Sequence, residues 1–129
     1  MKLYVKILAA LTLLVFYSDL YGQLQYKRSY QALLETNIKD RTDGSCEVSH
    51  YTTFKFEKKG NVDIIYMTNY SCNPKEIEKN YVDLSTPIKT TSTYQIKNNK
   101  IYIKDFQYSP LLIGKKELIY NNIIFKLEK

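Results

Sequence analysis

Tryptophan is absent from this chain of 129 residues, and there are only one histidine, two cysteines, two methionines, three prolines and four glycines. A single histidine, His50, excludes a metal centre built on several imidazoles. No Gly-x-Ser-x-Gly sequence supplies a nucleophile for which His50 would act as base. A P-loop, a dinucleotide fingerprint and a calcium loop are missing as well. The carboxylates Glu47, Asp63, Glu76, Glu78 and Asp83 follow no spacing that marks a glycosidase-type acid/base pair. With no arginine-rich block and no nucleic-acid motif, nucleic acid is not expected as a partner. The expectation is a protein that is not an enzyme and carries neither metal nor cofactor.

What is present begins at the N-terminus. Lys2 and Lys6 precede an uncharged apolar run, Ile7 to Phe16, and a short polar tail, YSDLYG, follows. That order describes a secretory signal peptide over residues 1–22, with cleavage between Gly22 and Gln23. The apolar run is about half of the roughly 20 residues needed to cross a bilayer, so no stable transmembrane anchor is expected. Residues 23–129 then form one domain. The chain is expected to be exported to the periplasm, the outer surface or the medium. Residues 1–22 hold Lys2, Lys6 and Asp19, which leaves 17 basic and 12 acidic side chains, a net charge of +5. Such a surplus favours anionic partners of the envelope. Its lysines are dispersed, however, with short pairs only at Lys58-Lys59 and Lys115-Lys116, as on an ordinary solvated surface.

An exported chain with two cysteines allows one disulfide, Cys46 to Cys72. A redox-active pair would sit as Cys-x-x-Cys; these two lie 26 positions apart and read as a structural staple. Closing a loop of that length contributes about 3.5 kcal/mol in the chain-entropy account.

Alternation of apolar and polar residues predicts strands from residue 50 onward. Thr53 to Glu57 and Val62 to Tyr66 flank Lys58-Lys59-Gly60, where Gly60 suits the left-handed position of a three-residue hairpin loop. That loop opposes Phe56 to Val62 and Phe54 to Ile64 on one face, and Lys55 to Asp63 on the other. Asn98-Asn99 predicts a type I′ turn, with Ile96 facing Ile101 and Tyr94 facing Ile103. Asn121-Asn122 repeats the device, opposing Tyr120 to Ile123 and Leu118 to Phe125. Residues 73–80 (NPKEIEKN) predict one short helical turn, with Asn73 as cap, Pro74 at the first helical position and Glu76 three after the cap. Residues 26–38 fit a helical and a strand period equally.

The order Cys46-Glu47, Phe54-Lys-Phe56, Gly60, Cys72 and Tyr94-Gln-Ile96 resembles the small secreted lipocalin-like domains of bacterial envelope proteins. Arg28-Ser29-Tyr30 stands where those domains open on Gly-x-Trp. The resemblance implies an all-β antiparallel meander forming a small barrel or curled sheet, and it assigns residues 28–37 to a first strand. It also implies a non-enzymatic binding protein for a small hydrophobic ligand. Phe54, Phe56, Tyr94, Ile96, Ile103 and Phe125, on predicted inner faces, are the candidates to line the site. Because these side chains are bulky enough to fill a narrow barrel, the alternative is a structural or interaction module, an adaptor or inhibitor that meets an envelope protein or polymer through its surface.

Overall fold

The computed structural model describes residues 22–129. Eight strands follow one another around a closed antiparallel barrel in up-and-down order. They are β1 (Ser29–Arg41), β2 (Gly44–Phe56), β3 (Asn61–Asn73), β4 (Ile88–Lys97), β5 (Lys100–Ile103), β6 (Leu111–Gly114), β7 (Glu117–Tyr120) and β8 (Ile123–Leu127). The sheet is thus a barrel rather than an open curl. A short seam closes it, in which Tyr30 pairs with Leu127 and Gln31 with Lys126. The leader expected over residues 1–22 lies outside the described residues except for Gly22. That glycine has φ +70, and a Cβ there would stand 2.5 Å from the Gly114 carbonyl oxygen.

Local chemistry fixes the register. In the β2–β3 hairpin Gly60 has φ 99, the Glu57 N–H donates to the Asn61 carbonyl at 2.9 Å, and Phe56↔Val62, Lys55↔Asp63 and Phe54↔Ile64 are paired. Asn98 and Asn99 take φ 52 and 61, which a type I′ turn demands and asparagine tolerates. Tyr94↔Ile103 and Ile96↔Ile101 are set by that turn. In the β7–β8 turn Asn121 alone is left-handed, at φ 50, so the type I′ form expected at Asn121-Asn122 is not adopted, yet Tyr120↔Ile123 and Leu118↔Phe125 are opposed as expected. From Ser29 onward the ambiguous segment is strand, with Tyr30 and Ala32 buried on one face of β1.

The interior is filled by side chains. Tyr30, Phe54, Phe56, Val62, Ile101, Leu111, Leu118 and Phe125 are fully buried, and Phe54 packs against Phe125 with tilted rings whose centroids are 4.7 Å apart. β1, β2 and β3 are far longer than β5 to β8 and run past the barrel as a three-stranded arm. A bulge between Leu33 and Glu35 bends β1 where the arm begins. One face of the arm is covered by a 3-10 turn, Lys75–Tyr81, whose Ile77 and Tyr81 pack on Cys46 and Val48. This turn corrects the predicted cap. Pro74, not Asn73, holds the cap position, with extended backbone and no side-chain cap bond. The carboxylate that anchors the turn is Glu78, which accepts the Cys72 N–H at 3.3 Å.

Cys46 and Cys72 are direct cross-strand partners in this arm, with their sulfurs at disulfide distance, 2.13 Å. Even-numbered β2 residues direct their backbone groups towards β1, so Cys46 and Cys72 form a non-hydrogen-bonded pair, the kind in which facing side chains approach closest. Replacing both (Cys46→Ala with Cys72→Ala) is expected to cost about 3 kcal/mol in chemical denaturation. Amide exchange should accelerate over residues 44–48 and 70–81 before it changes around Phe54. A uniform acceleration through the barrel would show that the pair braces the whole fold instead.

Candidate functional site

Of the six residues expected to line a ligand site, Tyr94 and Ile103 border an open recess of about 340 Å³ with Thr93, Gln95, Tyr102, Lys104 and Ser109, whereas Phe54, Phe56 and Phe125 are packed in the core. Phe54, Phe56 and Phe125 have no exposed surface, and Ile103 is 4% exposed. Their rings touch one another: Phe54 lies 5.8 Å from Phe56, and Phe56 meets Tyr94 edge-on at 5.1 Å. Ile96 is not inside at all. It sits two residues before the Asn98-Asn99 turn at 44% exposure, beyond the last layer of the core, while its partner Ile101 is buried. Phe106 packs on Phe54 at 5.2 Å and continues through Tyr108 to Tyr120, closing the mouth next to the arm. At the other mouth Leu24 is buried in the core, held by the Gln25 N–H donating to the Tyr30 hydroxyl at 2.8 Å. His50 has an ordinary polar neighbour, with Nδ1 3.1 Å from the Thr68 hydroxyl.

Because the barrel is an up-and-down meander, alternate turns share an end. The β2–β3, β4–β5 and β6–β7 turns gather beside the incoming segment 22–28. Lys27, Arg28, Lys58, Lys59, Lys97, Lys100, Lys115 and Lys116 all lie in these four segments or directly flank them, and Glu57, Glu117 and Glu128 are the carboxylates beside them. Contacts tie the segments together. The Lys27 N–H donates to the Phe56 carbonyl at 2.9 Å and the Tyr94 N–H to the Gly60 carbonyl at 2.9 Å. Lys58 Nζ lies 5.9 Å from the centre of the Tyr26 ring, and Gly22 abuts Gly114 just before Lys115. A recess of about 630 Å³ opens here between Tyr26, Lys27, Glu57, Lys58, Lys59 and Asn61.

The other end carries the opposite sign. Glu35, Asp40, Asp43, Glu47, Glu76, Glu78, Asp83 and Asp105 outnumber Lys39, Arg41, Lys75, Lys79 and Lys104 there. The net charge is therefore polarised along the barrel. Linear spacing hides this, since the cations of the basic end come from four stretches dispersed along the chain. The signal that could have found them is the turn itself: each two-residue or three-residue loop at that end carries or is flanked by a lysine pair.

Backbone conformation adds a second feature. Lys27 has φ 60 and Lys116 φ 58, in the left-handed region where glycine and asparagine are favoured and other side chains cost about 1 kcal/mol or more. At the asparagine turns the chain uses the residue that the backbone asks for. At Lys27 and Lys116, both on the basic end, it does not, and Asp105 at the opposite end also takes a left-handed φ of 56.

No family model matches this chain, and no curated protein or solved structure matches it.

Tyr94 belongs to the same end. Its hydroxyl donates to the Glu57 carbonyl, and burial first, then Tyr26 and Glu57 close by, push its pKa up to about 12 from the usual 10.0. A raised value in the folded state means that the neutral hydroxyl is favoured there. The contribution to stability is complete below pH 10.0 and is lost as pH rises through about 12. Denaturation curves should show stability falling across that window. Tyr94→Phe is expected to flatten the fall while costing about 1 kcal/mol at neutral pH for the lost hydrogen bond. An unchanged alkaline slope in this variant would place the titrating group elsewhere.

Proposed function

We propose that this protein is an exported, non-enzymatic interaction module that meets an acidic protein partner of the envelope through the lysine-bearing end of its barrel. The observation that carries the reading is the gathering of eight cations from four segments at one end, with two of them, Lys27 and Lys116, in a strained backbone conformation. Local strain retained against an easy alternative is a mark of a working surface. The polarised charge would orient the barrel on approach, lysine end first, and speed association at low ionic strength.

The filled interior supports this reading over carriage of a small hydrophobic ligand. Phe54, Phe56, Ile103 and Phe125 occupy with one another the volume such a ligand would need. The eight-stranded meander is compatible with the lipocalin-like architecture that the sequence resembles. Cleavage between Gly22 and Gln23 would leave Leu24 and the Gln25–Tyr30 bond in place, so processing there keeps the mouth sealed.

Poly-L-glutamate is a suitable probe of acidic polypeptide chemistry. The exported protein should bind it at low salt and lose affinity steeply as exposed charges are screened, at a Debye length of about 10 Å near 0.1 M. Replacing Lys27 and Lys116 by asparagine together should raise stability by about 0.5–1 kcal/mol for each relieved position while weakening binding. Reversing Lys58, Lys59 and Lys115 to glutamate should abolish binding, and reversing Glu76 and Asp83 to lysine should leave it intact. Binding that ignores which end is altered, or no binding at low salt, would defeat the proposal. Capture by anionic lipid vesicles but not by poly-L-glutamate would identify a membrane rather than a protein as the partner.

A further inference from the structure

The arm leaves one strand edge without a neighbour. β8 covers β1 only at Tyr30 and Gln31, and among the described residues no strand lies beyond Ala32 on that side of β1. From Glu35 to Arg41, between the bulge and the Thr42-Asp43 turn, every residue is exposed. The direction of the free backbone groups follows from the register. The Ser29 carbonyl accepts the Glu128 N–H at 2.8 Å, so residues opposite odd-numbered β2 positions turn their N–H and C=O away from β2. After the bulge these are Thr36 (opposite Ser49), Ile38 (opposite Glu47) and Asp40 (opposite Ser45). An unpaired row of this kind is a template for another strand.

The side chains of this stretch specify which strand. Ile38 is its midpoint and is 74% exposed, the most exposed of the large apolar side chains among the described residues. Turning the stretch about Ile38 brings Glu35 opposite Arg41, Thr36 opposite Asp40, and Asn37 opposite Lys39. Opposite charges then meet at both ends, Ile38 meets its own copy, and the hydrogen-bonding residues Thr36, Ile38 and Asp40 face one another in phase. Shifting the centre by one residue to Asn37 would set the bulged Leu34 against Asp40 and break the fit. Glu35 and Arg41 have weak present partners, Asn37 Nδ2 donating to Glu35 Oε1 at 3.0 Å and Asp43 at 4.0 Å from Arg41 Nε, so neither is committed elsewhere.

We propose that the free edge of β1, Glu35–Arg41, pairs antiparallel with the same edge of a second copy of this chain about a two-fold axis at Ile38. The pairing is isologous and closes as a dimer, which distinguishes it from open-ended edge aggregation. It is independent of the function proposed for the lysine-bearing end.

Sedimentation of the protein exported from a Gram-negative host, with Cys46 and Cys72 oxidised, tests the pairing. A concentration-dependent dimer is expected, and in it amide exchange should slow at Thr36, Ile38 and Asp40 but not at Asn37 or Lys39, whose groups already bond to β2. Ile38→Pro removes one outward N–H at an edge that tolerates proline, and should weaken dimerisation about tenfold or more. Glu35→Arg sets like charges together twice and should weaken it comparably. Adding Arg41→Glu to that variant should restore affinity to within about threefold of the parent, since the pair is only exchanged. Far-UV circular dichroism identifies any variant that fails to fold, and the exchange pattern of the parent protein then decides alone. A monomer at all concentrations, a dimer indifferent to Ile38→Pro, or failure of the double exchange to restore affinity would each overturn the proposal.

Discussion

The contact between Phe54 and its neighbours is the constraint from which the rest of the molecule follows. A barrel of eight short strands has an interior just wide enough for side chains, and Phe54 touches Phe56, Phe106 and Phe125 across it. Each such ring contributes about 2–3 kcal/mol through burial, and there is no tryptophan to share the work. Once the centre is filled in this way, strand register is fixed too. A slip of one residue would turn Phe54 and Phe56 outward and bring Lys55 in. The chain therefore gains a rigid, closed body, and chemistry is displaced to its ends and edges.

A meander has only two places to put its turns, and this one assigns them different charge. Three turns and the incoming segment bring lysines together at one end, while the arm, its covering 3-10 turn and the β5–β6 loop bring carboxylates to the other. Lysines on the same end repel one another, and in water that repulsion is modest at turn-to-turn distances because the dielectric is high and salt screens it. The backbone at Lys27 and Lys116 is the larger cost. Glycine or asparagine at either position would remove that cost and one charge with it. The same chain supplies asparagine at Asn98, Asn99 and Asn121, and Asn99 also ties its turn to β6 by donating from Nδ2 to the Ile113 carbonyl at 3.0 Å.

Much of the barrel was legible in the sequence because short-range chemistry encodes it. Gly60, Asn98-Asn99 and Asn121-Asn122 each specify a turn, and each turn specifies the pairs on both sides of it. The arm was not legible. Residues 35–49 are largely polar and exposed, so their strand character rests on pairing with neighbours and not on alternation. The β6–β7 turn was hidden for a related reason, since Lys115-Lys116 has none of the residues that usually mark a hairpin. Ile96 was misplaced because alternation gives the face a residue points to, but not whether the core extends that far. That lysine-bearing loops could meet an acidic partner was legible, but their gathering at one end of the barrel was not. Its members are neighbours only through topology, and no window along the chain contains them.

The arm and the charged ends answer to the same geometry. β1, β2 and β3 outrun the other strands, so the unpaired edge stands clear of the barrel, away from the lysines. An antiparallel partner on that edge would carry its own barrel off in the opposite direction. The two lysine-bearing ends would then face outward at the far extremes of the dimer, each free to engage, with the paired arms between them. Two weak, screened contacts held at a fixed separation bind an extended acidic partner more tightly than either does alone. The Cys46–Cys72 pair lies in this arm, beneath Tyr81 and beside the edge. Its cross-link would stiffen the strand pair against which the edge is presented.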